Sequence, residues 1–307
     1  MKRSKTMRKV GKKIHKTKRD IIAQTVKSGI ITSNLMPMCA GLTLALYTYQ
    51  IDILHKSIEI LFAFAGSILL IGAAGALNNL YDRDIDSVMN RTKNRPTVTG
   101  EVNLKKVLWL SILMSILGLI FLAFTTYLAA IIGLIGLLFY IFPYTMWSKR
   151  KTVYNTEIGS ISGAMPPLIG WTAISPDISH PAIQGLFFIT IIWQMPHFYS
   201  IAIRKQNEYK AANIPMLPVV KGMKRTYLQT NLYILAITLS SFLFRSLSIG
   251  LVLVSFFLGF IWICLSILGY KRMNSEKWAS FMFVYSLIYM TTLYSTVIIY
   301  TLTRQIF

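Results

Sequence analysis

An all-α polytopic membrane bundle of nine transmembrane helices is the fold class this sequence predicts, and three observations predict it. Hydrophobic residues make up 54% of the 307 positions and charged residues only 14%, against about a quarter charged in an ordinary soluble domain. Several apolar runs exceed the roughly 18 residues that mark a membrane-spanning helix. The net charge of +21 is concentrated in the gaps between alternate runs. A soluble nucleic-acid module is excluded, since it needs a basic face on a folded domain without such runs. Cys39 and Cys264 lie inside apolar runs and read as small buried residues, not a disulfide or metal pair.

In chain order, residues 1–29 form a basic tail with eleven Lys and Arg. No short apolar core with a small-residue cleavage site follows it, so it reads as a cytoplasmic, topogenic tail drawn to anionic lipid. One transmembrane domain fills 30–307, with spans over 30–49, 60–80, 107–124, 127–146, 158–174, 183–203, 229–247, 249–268 and 284–303. The fifth is short and holds Pro166-Pro167, which would kink or break it. Charge arbitrates. With the N-terminus inside, the inner segments 1–29, 81–106, 147–157, 204–228 and 269–283 carry 29 of the 32 Lys and Arg. Only Lys56, Arg245 and Arg304 fall outside. Deleting the fifth span would move nine cations to the wrong side, so nine spans, N-terminus cytoplasmic and C-terminus external, satisfy the positive-inside rule. The two long inner segments follow spans 2 and 6, a faint internal repeat of the kind duplicated bundles show.

The chemistry lies where span 2 ends, in Asn78-Asn79-Leu80-Tyr81-Asp82-Arg83-Asp84-Ile85-Asp86. Asn78, Asp82 and Asp86 share one face if the helix continues, and Asp84 points elsewhere. Three oxygen-bearing side chains at a membrane boundary suit Mg²⁺, which takes one or two carboxylates and completes its shell with water and phosphate. Arg91, Lys93 and Arg95 follow, cations suited to phosphate oxygens. A diphosphate substrate needs this combination. The simpler reading is a solvated loop whose acids pair with Arg83 and Arg91, but three of eleven acids within five residues at a helix end favour function.

The stretch NNLYDRDIDSVMNRTKNRP (78–96) resembles the signature of the protoheme IX farnesyltransferases (heme O synthases), a branch of the UbiA-type intramembrane prenyltransferases. The resemblance continues through YTMWSKRKTVYNTEIGSISGAMPPLIGW (144–171), through WQMPHFYSIAI and EYKAANIPMLPVVKG within 193–222, and in the first span's Lys27 and Asn34-Leu35. The N-x-x-x-D-x-x-x-D pattern alone marks only the superfamily; the RTKNRP, PPLIGW, WQMPHF and IPMLP strings narrow it to the heme-modifying branch. The resemblance implies a UbiA-type fold and a reaction of farnesyl diphosphate with heme B that gives heme O and pyrophosphate. It implies Mg²⁺ as cofactor, the cell membrane as location and a cytoplasmic active site. A heme A synthase, which consumes heme O, is an implied partner; nucleic acid is not.

The resemblance assigns Asn78, Asp82 and Asp86 to metal and diphosphate, with Lys27, Arg91, Arg95, Lys149 and Arg150 as diphosphate contacts and Asn34 beside them. Tyr81, Tyr140, Tyr144, Trp171 and Trp193 lie in or beside the matching motifs and could wall a farnesyl cation, though packing is the simpler role of each. His197 lies toward the cytoplasmic end of span 6 and reads as a heme-side residue, axial ligation being one form of that role. His15, His55 and His180 read as incidental. The second inner loop departs from the superfamily pattern: Glu208 is its only acid, so a second protein-held metal is not expected, and Glu208 would orient Lys205, Lys210 or water. Two alternatives stay open here. One is a related prenyltransferase acting on a quinone-ring precursor or another porphyrin. The other is a cation-coupled transporter, which would need a midplane charge relay that the spans lack.

Overall fold

The structure is a computed structural model and describes residues 16–306. All regular elements among them are helical. Helix α1 (Lys18–Thr25) begins at a reciprocal capping box between Thr17 and Asp20, and Lys16 reaches Glu101 at 2.7 Å. The basic segment is therefore folded well before residue 29. Positions 1–15, His15 included, lie outside the described residues.

The first two spans are α2 (Ser28–Thr48) and α3 (Ser57–Tyr81). The loop after them folds as α4 (Arg83–Val88) and α5 (Pro96–Thr99). Then come α6 (Leu104–Ala123) and α7 (Tyr127–Phe139). The last continues as a π-helical stretch, Tyr140–Ser148, into a final turn, α8 (Lys149–Lys151). Pro143 lies inside that stretch; a proline lacks the N–H and crowds the preceding turn, which the wider π winding accommodates.

The predicted fifth span is two short helices, α9 (Asn155–Gly163) and α10 (Met165–Thr172), parted at Ala164 ahead of Pro166-Pro167. The remainder is α11 (Pro181–Arg204), α12 (Gln206–Ala211), α13 (Leu217–Ser240), α14 (Ile249–Arg272) and α15 (Ser275–Ile306). Gly222, at φ 75°, kinks α13 before its apolar part. Among the described residues eight helices are long and apolar enough to cross a membrane, one fewer than the nine predicted, because the fifth is divided into the short α9 and α10. The chain is a multi-pass membrane protein.

The larger core cluster gathers residues of α2, α10, α11, α13, α14 and α15, with Trp171, Trp262, Trp278 and Tyr289 fully buried. A smaller one joins α3, α6, α7 and α10 around Leu70, Leu122, Ile132 and Met165. Leu113, Ile116, Ile120, Phe257 and Ile261 remain exposed, an apolar surface for lipid. On the side of the basic loops, Ile85 and Met89 pack with Ala202, Ile214 and Met216. This contact folds the two long loops into one cap over the end of α3.

Candidate active site

The helical ladder of α3 runs on through its last residue. The N–H of Asp82 donates to the Asn78 carbonyl at 2.9 Å, and that of Asp86 to the Asp82 carbonyl at 2.7 Å. Asn78, Asp82 and Asp86 thus stay one above another, as the spacing predicts. They are 3%, 0% and 3% exposed. Asp84 faces outward with its side chain 64% exposed. It accepts from Arg150 at 2.6 and 2.8 Å, and that guanidinium holds the Asp84 carboxyl down at about 2. The solvated-loop reading fails, because Arg83 is turned away to the Thr97 carbonyl at 2.9 Å.

Each of the three buried residues is met closely by a cation, and Asp82 by a second, looser one from Arg150 at 3.5 Å. Lys27 donates to Asn78 Oδ1, Lys149 to Asp82 Oδ2, and Arg95 to Asp86 Oδ2 at 2.5 Å. Lys27 stands between α1 and α2 at φ 54°, a left-handed conformation disfavoured for side-chain-bearing residues. The surroundings fix it there. Asn79 donates to the carbonyls of Gln24 and Thr25 at 3.0 and 2.9 Å, and a Cβ on Gly75 would lie 2.8 Å from the Val26 carbonyl oxygen. Burial, and then repulsion from Arg95 and Lys149, push the Lys27 ammonium well below the ordinary lysine range, while Asp82 and Asp86 pull it back.

Lys149 is delivered by the π-helical stretch. About one turn earlier the same stretch delivers Thr145, which the sequence analysis passed over. Its hydroxyl accepts from Asn78 Nδ2 at 2.8 Å, and the same amide donates to Asp82 Oδ2 at 2.9 Å. The available signal was the i, i+4 spacing of Thr145 and Lys149, mirroring Asn78 and Asp82. Also passed over was Glu157 on α9. Its Oε1 accepts from Tyr199, from Gln229 at 2.9 Å and from Tyr233 at 3.2 Å, tying α9 to α11 and α13.

The other expected residues divide. The Arg91 guanidinium makes no hydrogen bond among the described residues, while its backbone N–H donates to Glu208 Oε2 at 3.4 Å. Glu208 also accepts from Lys205 at 3.1 Å. Burial acts to raise its carboxyl, but Lys205 and Arg91 outweigh it and hold it below the usual range. The Tyr144 ring covers Gly159, where a Cβ would lie 2.6 Å from it, and stands 5.5 Å from Tyr140. Arg150 reaches Asp82 only at 3.5 Å and lies 4.9 Å over the Tyr81 ring, so it braces the outer face of α4. Asn34 donates to its own helix at Ile30 and meets none of the acids. His197 Nδ1 lies 2.8 Å from Ser286 Oγ, and its ring stacks on Trp193 at 4.6 Å, apart from the contacts of Asp82 and Asp86. Trp171 donates to the Asp177 carbonyl at 2.5 Å and is core packing.

Among the described residues no three His, Cys, Asp or Glu side chains converge. The acid face offers two carboxylates and one amide oxygen, all hard donors, beside side chains that can hold phosphate. This set fits Mg²⁺, which keeps water and substrate phosphate in its remaining positions.

The sequence profile of the UbiA prenyltransferase family matches residues 34–288. A Bacillus cytotoxicus protein named protoheme IX farnesyltransferase 1 is 68% identical over 92% of this chain and 93% of its own length. Among solved structures, a digeranylgeranylglyceryl phosphate synthase superposes with TM-score 0.73, at 18% identity over 92% of this chain and 98% of that one. A UbiA homolog from Archaeoglobus fulgidus, bound to GPP and Mg²⁺, superposes with TM-score 0.65, at 15% identity over 91% and 99%. Fold, motif order and profile agree, and the chain belongs to the UbiA prenyltransferase family.

Proposed function

We propose that the chain transfers the farnesyl group of farnesyl diphosphate to a vinyl group of heme B, giving the hydroxyethylfarnesyl side chain of heme O and releasing pyrophosphate. The carrying observation is the buried Asn78–Asp82–Asp86 face met by Lys27, Lys149 and Arg95, an arrangement suited to a metal-bound diphosphate. The choice of heme B and a farnesyl donor rests on the relative that is 68% identical.

Asn78, Asp82 and Asp86 would hold Mg²⁺, which supplies positive charge that stabilises the leaving diphosphate. Lys27, Arg95, Lys149 and the unengaged Arg91 bind and orient the phosphate oxygens as the allylic C–O bond ionises. The burial of Asp82 and Asp86 excludes bulk water and strengthens each of these interactions. Tyr140 and Tyr144, on the π-helical stretch that also carries Thr145, would wall the farnesyl chain near the acids. The vinyl carbon attacks the farnesyl cation, and water adds to the resulting heme-stabilised cation as a hydroxyl, releasing a proton.

His197 is assigned to the heme side. Ser286 engages Nδ1 and leaves Nε2 available to iron. His197→Ala is expected to weaken heme B binding by about tenfold, with a shifted Soret band in titrations, while farnesyl diphosphate affinity stays near wild type. Loss of diphosphate affinity with heme binding untouched would move His197 to the metal side. A heme A synthase, which consumes heme O, is the expected recipient of the product.

The protein is placed in the cell membrane with its N-terminus and acid face cytoplasmic and its C-terminus external, from the 29-to-3 split of cations. Accessibility labelling of tags at residue 1 and after Phe307 should report opposite sides. Both tags on one side would remove the nine-crossing arrangement. The reaction itself is tested by incubating purified protein with heme B, Mg²⁺ and farnesyl diphosphate and weighing the porphyrin. A gain of one farnesyl group plus one hydroxyl is expected. Unchanged porphyrin, with a quinone precursor prenylated when it is supplied in place of heme B, would select the related prenyltransferase instead.

A further inference from the structure

Trp193, His197 and Arg204 follow one another along α11 at one-turn and two-turn steps, and so share one face. That face meets α15. Trp193 Nε1 donates to the Ser286 carbonyl at 2.8 Å, and its ring stacks on His197 at 4.6 Å. The Phe283 ring stands 5.0 Å from the imidazole, and the Arg204 guanidinium lies 5.0 Å over the same ring. Ser286 sets the tautomer. Its hydroxyl donates its proton to the Phe283 carbonyl at 2.6 Å, so toward His197, 2.8 Å away, it accepts. Nδ1 therefore carries the imidazole proton, and Nε2 keeps the lone pair that a metal takes.

Arg204 is the last residue of α11, exposed on the side of the basic loops. Among the described residues it makes no hydrogen bond or ion pair. Its neighbour Lys205, by contrast, donates to Glu208 at 3.1 Å. We infer that Arg204 binds a propionate carboxylate of the porphyrin whose iron His197 takes, and so decides which edge of that porphyrin enters the bundle. This rests on the heme-side reading of His197.

Seven helical residues separate the two side chains by about 10 Å along α11, comparable to the reach from a porphyrin iron to its propionate carboxylates. A guanidinium grips a carboxylate with a fork of N–H donors, and Phe283 backs the fork with its ring face. The porphyrin is itself amphipathic, with its carboxylates on one edge and its vinyl groups away from that edge. A propionate on Arg204 keeps the charged edge at the basic rim. The vinyl groups then point into the bundle, where a carbocation needs dry surroundings. Turned the other way, the porphyrin would bury its carboxylates among apolar side chains without partners, which is costly.

Packing over Phe283 is the simpler role for Arg204, and one chemical change separates the two roles. Heme B dimethyl ester keeps iron, ring and vinyl groups but has no anionic propionate. Full-length protein in detergent is titrated with heme B and with the ester, following the Soret band. Wild type should bind heme B about tenfold more tightly than the ester, as one charged hydrogen-bonded contact requires. Arg204→Gln should lose about that same tenfold for heme B, with ester affinity and band position unchanged. Arg204→Lys should retain part of the preference. Lys271→Gln, which removes another exposed cation from the same side, should leave both affinities as they are. Equal losses for heme B and ester in Arg204→Gln would overturn the propionate contact. A Lys271→Gln loss as large as that of Arg204→Gln would do so too. So would a wild type that binds both porphyrins alike, a comparison that needs no variant to fold. A wild type that binds neither porphyrin would overturn the heme reading itself, and the propionate contact with it.

Discussion

Asp82→Asn and Asp86→Asn are each expected to lower heme O formation by about 100-fold or more, a loss of about 3 kcal/mol or more of leaving-group stabilisation. Each exchange removes one anion at nearly constant shape from a position that is almost wholly buried. A fixed charge in such a place acts far more strongly than on a wet surface. The loss should fall on turnover, with membrane insertion retained, because Asn can still accept from the Lys149 ammonium or the Arg95 guanidinium. Asp84→Asn is the internal control. It breaks a pair on the exposed face of α4, where such pairs contribute about 0–1 kcal/mol, and should change activity by less than about threefold. Parallel assays of the three variants, with folding checked by thermal unfolding in detergent, decide the matter. Equal losses at 82, 84 and 86 would mean that no single face carries the metal.

The acid face was legible in the sequence because helical periodicity is a local property. The spacing of 78, 82 and 86 needs only a ladder that continues past Tyr81, and it does continue. The partners of that face were legible as cations but not as pairings. Lys149 and Arg150 are adjacent in sequence, yet one holds Asp82 and the other Asp84. That division is set by how the two adjacent side chains meet the end of α3 and the start of α4 in the folded chain. Thr145 was missed for the same reason, and Glu157 because its partners Tyr199, Gln229 and Tyr233 come from two other helices. His197 was legible as a polar group inside a span; its seat against Ser286 is a tertiary fact.

The fold was legible where hydrophobic length and charge agree. Eight spans appear as long helices. The fifth was the doubtful one on its prolines, and it is the one that breaks, at Ala164. Thr17-x-x-Asp20 is a capping-box spacing inside a run of lysines, and the run's charge concealed a helix that Asn79 then fastens to α3.

Gly170→Ala and Gly41→Ala are each expected to destabilise the protein by about 2 kcal/mol or more, at the upper end of what overpacking in a core usually costs. A Cβ on Gly170 would lie 1.9 Å from the Met38 carbonyl oxygen and 2.9 Å from the Leu42 nitrogen, and one on Gly41 would lie 1.9 Å from the Pro167 carbonyl oxygen. These neighbours are backbone atoms, which cannot rotate aside as a flexible side chain would. So α2 and α10 must part along the contact where small residues let them approach most closely. Parting them reaches the active site, because α2 begins at the turn that presents Lys27 to Asn78. The double variant should lose less than the two single losses added together, since the separation forced by one methyl already makes room for the other. Gly29→Ala is the control. Nothing lies within 4 Å of its Cβ position, and alanine in a helix is favoured over glycine by about 1 kcal/mol, so its melting temperature should equal or exceed that of wild type. Unfolding temperatures of the four variants in one detergent measure all of this. A Gly170→Ala protein that melts with wild type would show that α2 and α10 are not locked backbone to backbone.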